Sequence, residues 1–179
     1  MIYFTSDLHL GHRNIIHHCL RPFATVDEMD KTLIENWNKR VTNADTVYIM
    51  GDLIFRASVP PEEYINQLKG KKHLILGNHD CTWLSHGDYS SLFESISYMD
   101  VVNLPQGKCT LCHYPMMSFE GRYLIYGLIH NNRCDPYWPL LKTMEHALNA
   151  GVEINSYCPV TFAELAANNQ RFRLASSEG

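Results

Sequence analysis

The sequence has no excess of basic residues. Its 15 Lys and Arg stand against 19 Asp and Glu, a formal net charge of −4 with a pI near 6.2. That argues against the broad positive field by which proteins engage nucleic acid or membrane surfaces, and leaves room only for a local basic patch. No apolar run approaches the length of a transmembrane helix. No basic segment and apolar leader precede the first element, since Met1 runs straight into Ile2-Tyr3-Phe4, so a cytoplasmic protein is expected. Internal repeats, low-complexity tracts and linker-like stretches are also missing. The 179 residues are therefore expected to form one domain, 1–179, with a sizeable core.

Cysteine is present but lacks a framework. Six cysteines without a secretory signal read as reduced thiols. Cys109-x-x-Cys112 has no second such pair to complete a zinc knuckle. It also falls in an apolar segment that reads as a strand, where a spacing of three sends the two side chains to opposite faces.

Histidine is the richer signal, with ten residues. The stretch Ser6-Asp7-Leu8-His9-Leu10-Gly11-His12 follows an apolar run, as at the end of a buried strand. Asp7 and His9, two apart, would share one face of a strand and form a chelating pair. Taken alone, Asp7 could equally cap a helix and the histidines be solvated.

The rest of the chain supplies partners for the pair. A short helix is expected over 14–21, ending near Pro22. Thr25 and Glu28 have capping-box spacing ahead of a helix to about Arg40. There Val26, Met29, Leu33, Ile34, Trp37 and Val41 form one apolar stripe. A strand over 46–50 ends at Gly51-Asp52. Pro60 and Pro61 open a helix to about Lys69, closed by Gly70. Lys71 and Lys72 read as surface charges before a strand over 73–76, which ends at Gly77-Asn78-His79-Asp80. Strands alternating with helices predict a parallel start, and such sheets bind ligands beyond the carboxyl ends of their strands. Later strands are expected over 95–104, 108–111, 123–126 and within 145–154, in a second, more antiparallel sheet. Residues 131–139 read as a loop. Thr161 and Glu164 repeat the capping box before a last helix to about Asn169, and 174–179 reads as a frayed tail.

Asp7, His9, Asp52, Asn78, His79, His113 and His130 thus each follow an apolar segment. Together they form a set of hard oxygen and borderline nitrogen donors suited to Mn²⁺, Fe²⁺/³⁺ or Zn²⁺. The ordered motifs Asp7-x-His9, Gly51-Asp52, Gly77-Asn78-His79-Asp80, His113 and Gly127-x-x-His130 resemble the calcineurin-like metallophosphoesterases. The segments 6–14, Arg21-Pro22-Phe23, His113-Tyr114-Pro115 and Pro159-Val160 are similar to the small, single-domain bacterial and phage members.

The resemblance implies an α/β fold, a four-layer α/β/β/α sandwich of two mixed sheets packed face to face with helices outside. It implies two divalent metals, manganese first with iron or zinc as alternatives. Asp7, His9 and His130 would hold one, Asp52 would bridge both, and Asn78 and His113 would hold the other. A shared anionic ligand offsets the repulsion of two cations roughly 3.5–4 Å apart, and a water between them attacks phosphorus as hydroxide. His79, oriented by Asp80, would stabilise the transition state or protonate the leaving oxygen. The catalytic group expected is therefore His79, Asp80 and Asp52. His12 and Arg13 are candidates for touching the phosphate, with Arg56, Arg122 and Arg133 behind them.

One position departs from the family pattern. Leu128 stands where the family's Gly-His-x-His places a metal-binding histidine. A leucine ligates nothing, so the second metal is expected to bind more weakly, unless a nearby histidine, Asn131 or Asn132 substitutes. The expected function is hydrolysis of a phosphodiester or phosphomonoester of a small phosphorylated substrate, in an open site without a large cap. Loops 55–61, 116–122 and 131–139 would shape specificity. The competing reading is a scaffold of the same fold that has lost catalysis. Membrane binding is not expected, a nuclease is disfavoured by the charge, and the oligomeric state is left open.

Overall fold

The computed structural model describes residues 1–175. Residues 176–179, the end of the expected frayed tail, lie outside the described residues. Two four-stranded sheets face each other. The first comprises β1 (Ile2–Thr5), β2 (Thr46–Ile49), β3 (Lys71–Ile75) and β4 (Ser95–Ser97), in that order and all parallel. The second comprises β5 (Met99–Leu104), β6 (Gly107–Cys112), β7 (Tyr123–Tyr126) and β8 (Ala147–Asn149).

Helices cover the two outer faces. Six are present among the described residues: α1 (Ile15–His18), α2 (Val26–Arg40), α3 (Pro61–Ile65), α4 (Asp80–Leu84), α5 (Trp138–Leu141) and α6 (Phe162–Leu174). Side-chain alternation along each strand sorts the core into three layers. Tyr3, Val47, Ile49 and Leu74 face outward and pack with Met29, Leu33 and Trp37 of α2 and Ile65 of α3. Phe4, Met50 and Ile75 face inward against Cys109, Leu111, Ile125 and Leu148 of the second sheet. Cys112, Leu124, Tyr126 and Ala147 face out again, under Trp138, Leu141 and Phe172. Cys109 and Cys112 therefore do lie on opposite faces, and the six cysteines are free thiols.

The long helix forms as its pattern demands. Thr25 accepts from the Glu28 N–H at 3.1 Å, while Glu28 reaches past the cap to the Ala24 N–H at 2.8 Å. In α6 both arms of the box close between Thr161 and Glu164, and the helix runs past Asn169 to Leu174. By contrast α3 is shorter than expected. Its backbone tightens after Ile65 into Gln67 N–H to Tyr64 and Leu68 N–H to Ile65 bonds. Lys71 and Lys72 belong to β3 rather than preceding it.

Two further expectations are corrected. Residues 95–104 are not one strand: the chain leaves the first sheet after Ser97 and joins the second at Met99, with Tyr98 exposed at the step. The second sheet is mixed rather than mainly antiparallel. Only the hairpin β5–β6 is antiparallel among its pairs, whereas β6–β7 and β7–β8 are parallel. Their connections, residues 113–122 and 127–146, are long enough to carry the chain back to the starting end of the sheet. In the first sheet the antiparallel contribution is a bridge at the β1 edge between Phe4 and Val160.

The consequence for function is one of register. Thr5 is level with Ile49, and Ile49 with Leu74, so the loops after β1, β2 and β3 emerge side by side. The loops after β6, β7 and β8 do the same. A parallel bridge between Ser6 and Gly151 ties the two ends together. No helix of the described residues is long and apolar enough to cross a membrane.

Candidate metal centre

Asp7 and His9 lie beyond the end of β1, and both adopt left-handed backbone, with φ of 57° and 53°. The pair therefore does not share a strand face, as its spacing predicts, but a loop beyond the strand. Two consecutive reversals aim both side chains inward, held by Asp7 N–H to Gly51 and His9 N–H to Asp52 hydrogen bonds. Asp52 (φ 52°) and His130 (φ 51°) follow β2 and β7 in the same conformation. Asp and His tolerate this region better than most residues, yet four of them in one site mark a backbone shaped for its side chains. Gly127 is needed for the close approach of the sheets, because a Cβ there would collide with Ser6 Oγ.

Asp52 sits at the centre. Its Oδ2 is 3.5 Å from His9 Nε2, 3.7 Å from His113 Nε2 and 4.0 Å from His79 Nε2. Its Oδ1 accepts the His79 N–H at 2.9 Å. Asp7, His9 and His130 offer ligand atoms within 4.8 Å of one another, and so do Asp7, Asp52 and His113. Asn78 Oδ1 lies 2.9 Å from His113 Nε2. With the His113 proton on Nδ1, facing the Met50 carbonyl at 2.6 Å, both of those atoms are acceptors. All six expected ligands are therefore brought together on one side of the molecule.

The residues fit divalent cations. Both ring nitrogens of His9 are buried without a hydrogen-bond partner, and a ligand role would satisfy one of them. Burial, followed by the charge of His130, pushes its pKa well below the ordinary value, so the ring is a neutral donor. Burial raises Asp52 to about 7, helped by Asp7 and opposed by His113. Burial alone would lower His130, but Asp7, Cys19 and Glu153 raise it to about 11. The upward directions of Asp52 and His130 come from carboxylates gathered in a buried place, where positive charge is favoured. A cation supplies it as well as a proton does.

Two residues of this centre escape sequence reasoning. Glu153, in a turn after β8, accepts from His130 Nδ1 at 2.9 Å and from Arg21 Nη2 at 2.7 Å. Arg21 also donates to the backbone carbonyls of Asp7 at 2.6 Å and Leu8 at 2.8 Å. Burial would raise Glu153, but His130 and Arg21 hold it near 2. The pair thus orients the His130 ring and clamps the loop carrying Asp7 and His9, the arrangement that outer partners of metal ligands have. The one available signal was Arg21 itself, a basic residue between two apolar stretches. Glu153 has no local signature.

Asp80 takes a different role from the one expected. Its buried carboxylate accepts from the N–H groups of Asp52 at 2.8 Å, Leu53 at 3.0 Å and Gly77 at 2.8 Å, and from Trp83 Nε1 at 3.0 Å. It opens α4 and points back at the β2 and β3 loops, so it positions Asp52 instead of the His79 ring. That ring is partly exposed at the rim, 4.1 Å from Phe55 and 5.4 Å from His9 between centroids. His12 lies 5.3 Å from His9, and burial, followed by His79, lowers it to about 4. Arg13 is exposed nearby. Arg56 stacks on Phe55 at 5.0 Å, beside the rim. Arg122 precedes β7 at the far end of the sheet, and Arg133 stacks on Phe172. Neither of these two reaches the centre.

Leu128 (φ 73°) donates its backbone N–H to both Asp7 oxygens, at 3.1 and 3.2 Å, while its side chain packs in the outer apolar layer. Asn131 and Asn132 do not replace the missing ligand. Their amides bond the Cys19 carbonyl and Asp135. The oxygen that approaches the second position is from Asp7.

Several known proteins are similar to this chain. The chain is 37% identical over 166 residues to the uncharacterized protein MJ1445 of Methanocaldococcus jannaschii, covering 89% of this chain and 86% of that protein. It is 34% identical over 161 residues to the Gene 66 protein of Mycobacterium phage L5, covering 72% and 77%. The crystal structure of AQ665 from Aquifex aeolicus, a protein of unknown function, superposes with a TM-score of 0.70 at 26% identity, over 93% of this chain and 98% of that one. Residues 1–155 match the calcineurin-like phosphoesterase model, and the histidines and carboxylates gathered around Asp52 all lie inside that span. On that match, the chain belongs to the calcineurin-like phosphoesterase family.

Proposed function

We propose that the protein is a metal-dependent phosphoric ester hydrolase acting on a small phosphodiester or phosphomonoester. The observation that carries this reading is the position of Asp52 Oδ2, between His9 Nε2 at 3.5 Å and His113 Nε2 at 3.7 Å. One buried carboxylate shared by two donor groups is what a dinuclear centre requires. Asp7, His9 and His130 would hold one cation, and Asn78 and His113 the other, with Asp52 between them. Manganese is the first candidate, iron or zinc the next. When bound, such ions supply charge for the phosphate oxygens and a nucleophilic water at neutral pH.

The chain's own residues do the rest. Asp80 and Gly77 fix the Asp52 loop. Arg21 and Glu153 fix the Asp7–His9 loop and the His130 ring. His79 is on the rim, where its imidazole N–H can reach a phosphate oxygen or the leaving oxygen. His12 and Arg56 flank it, where they can contact an anionic substrate. The expected setting is a single cytoplasmic domain with an open site.

Leu128 favours the second reading, a non-catalytic scaffold, because it removes one ligand. Against it, His79 is held at the rim beside Phe55, a placement without use in a scaffold. The deciding experiment is metal analysis of the purified protein with a panel of nitrophenyl mono- and diesters in Mn²⁺. Metal binding with turnover is expected. Absence of both would overturn the hydrolase reading in favour of the scaffold.

A further inference from the structure

Next to the centre lies a cavity of about 300 Å³ whose walls carry no charged side chain. Tyr114, Met116, Leu128, Tyr137, Leu140 and Met144 line most of it. It abuts the centre through two residues, Leu128 and Tyr114. Leu128 holds the Asp7 carboxylate through its N–H and turns its side chain into the cavity. Tyr114 follows His113 directly, with the two rings edge to face at 5.2 Å.

Its size is at the lower limit for ligand pockets and about twice that of a cavity that holds benzene, so it takes a group of one or two rings. Methionine sulfurs and tyrosine rings suit an apolar or aromatic guest. The Tyr137 hydroxyl is already committed to Asp135 at 2.6 Å. A nucleobase would therefore find few partners for its several donors and acceptors.

We infer that this cavity is a specificity subsite for the ester group of the substrate, and that the group it takes is uncharged, apolar and no larger than about two rings. The inference rests on the phosphoesterase reading above and names the substrate class for it. It also accounts for Leu128: the position lost as a ligand becomes a wall of the subsite.

The test compares the binding of phenylphosphonate and methylphosphonate to the Mn²⁺-loaded full chain by titration calorimetry. Neither compound is hydrolysed, so the result is independent of turnover. Phenylphosphonate should bind at least about tenfold more tightly, since a single added apolar group in a fitted pocket discriminates by 10-fold or more. It should also show the more negative heat-capacity change, the mark of apolar burial. Leu140 is half exposed, so its substitution spares the core. Leu140→Trp, which fills the cavity, and Leu140→Asp, which charges it, should each bring the ratio toward one. Equal affinities for the two phosphonates, or a preference that survives both substitutions, would overturn the subsite. Failure of the phosphoesterase reading shows separately, as absence of hydrolysis across the nitrophenyl panel.

Discussion

Replacing Glu153 with Gln tests whether the clamp behind the metal centre matters as its geometry requires. The substitution keeps the shape and one acceptor oxygen but removes the charge. Arg21 is then left buried without an anionic partner, among neutral acceptors: the amide oxygen, the Asp7 and Leu8 carbonyls and Met29 Sδ. Breaking a buried ion pair on one side destabilises by about 3–5 kcal/mol, and the surviving acceptor moves the expectation to the lower end. The carboxyl's own affinity for protons gives a similar figure. Holding Glu153 near 2 rather than 4.5 is worth roughly 3 kcal/mol at neutral pH, at about 1.4 kcal/mol for each tenfold change. The rise of His130 is not added to this, because part of it is the same pair and Asp7 supplies the largest upward push there.

The pH dependence follows in sign. Glu153 is depressed in the folded state, so between 4.5 and about 2 the unfolded chain binds more protons. Stability from this group is full above 4.5 and is lost as pH falls through that window. Urea unfolding of metal-free protein at pH 7 should show Glu153→Gln weaker by about 3 kcal/mol, with the difference shrinking on acidification toward pH 2. In metal titrations the variant should lose about 10- to 100-fold in affinity at the site containing His130, the usual effect of removing a ligand's outer partner. A variant with unchanged stability and unchanged metal affinity would show that the Arg21–Glu153 pair supports neither the loop nor the ligand.

Asp80→Ala leaves four buried donors without an acceptor and should lower stability by at least about 3 kcal/mol while weakening metal binding through Asp52; wild-type unfolding curves would contradict the role assigned to it. His79→Ala should keep metal content and lose on the order of 10²–10⁴ in turnover of a nitrophenyl ester, so an unchanged rate would remove His79 from the chemistry. Asp52→Ala should abolish both metal binding and hydrolysis, and retained hydrolysis would end the dinuclear reading. Leu128→His should tighten the second Mn²⁺ by at least about tenfold, because the left-handed backbone there accepts a histidine; an unchanged titration would mean that the Asp7 oxygen already completes that site.

Much of the centre is legible in sequence because each ligand follows an apolar strand. The polar residue after an apolar run is local information, and parallel register turns several such local signals into one site. What is not legible depends on long-range contact. Glu153 meets Arg21 across 132 positions, and neither residue sits in a motif with the other. Asp80 misleads because adjacency to His79 suggests partnership, whereas the start of a helix turns its carboxylate back onto three backbone N–H groups and an indole. The step at Tyr98 is hidden for a related reason. Residues on both sides have strand character, and only the partner strand decides which sheet receives them.

The left-handed residues argue for what Leu128 is doing. Among the described residues nine non-glycine positions have positive φ, and five of them are Asp7, His9, Asp52, Leu128 and His130. Glycine would adopt this conformation with roughly 1–2 kcal/mol less strain, a cost that the fold also bears at exposed Leu20 (φ 50°), so what each side chain does at its position has to be read from its contacts. For the two aspartates and two histidines the contribution is ligand atoms aimed at one centre. Leucine has no ligand atom and tolerates the region less well than any of the other four. Its backbone N–H bonds the Asp7 carboxylate, but glycine would supply that as well. What remains specific to leucine is the apolar surface it turns toward Met116, Tyr137 and Met144. At this position the leucine forms a wall of the cavity inferred above to take the ester group, while its N–H holds the Asp7 carboxylate. Loss of a metal ligand and gain of substrate selectivity are then two consequences of one side chain.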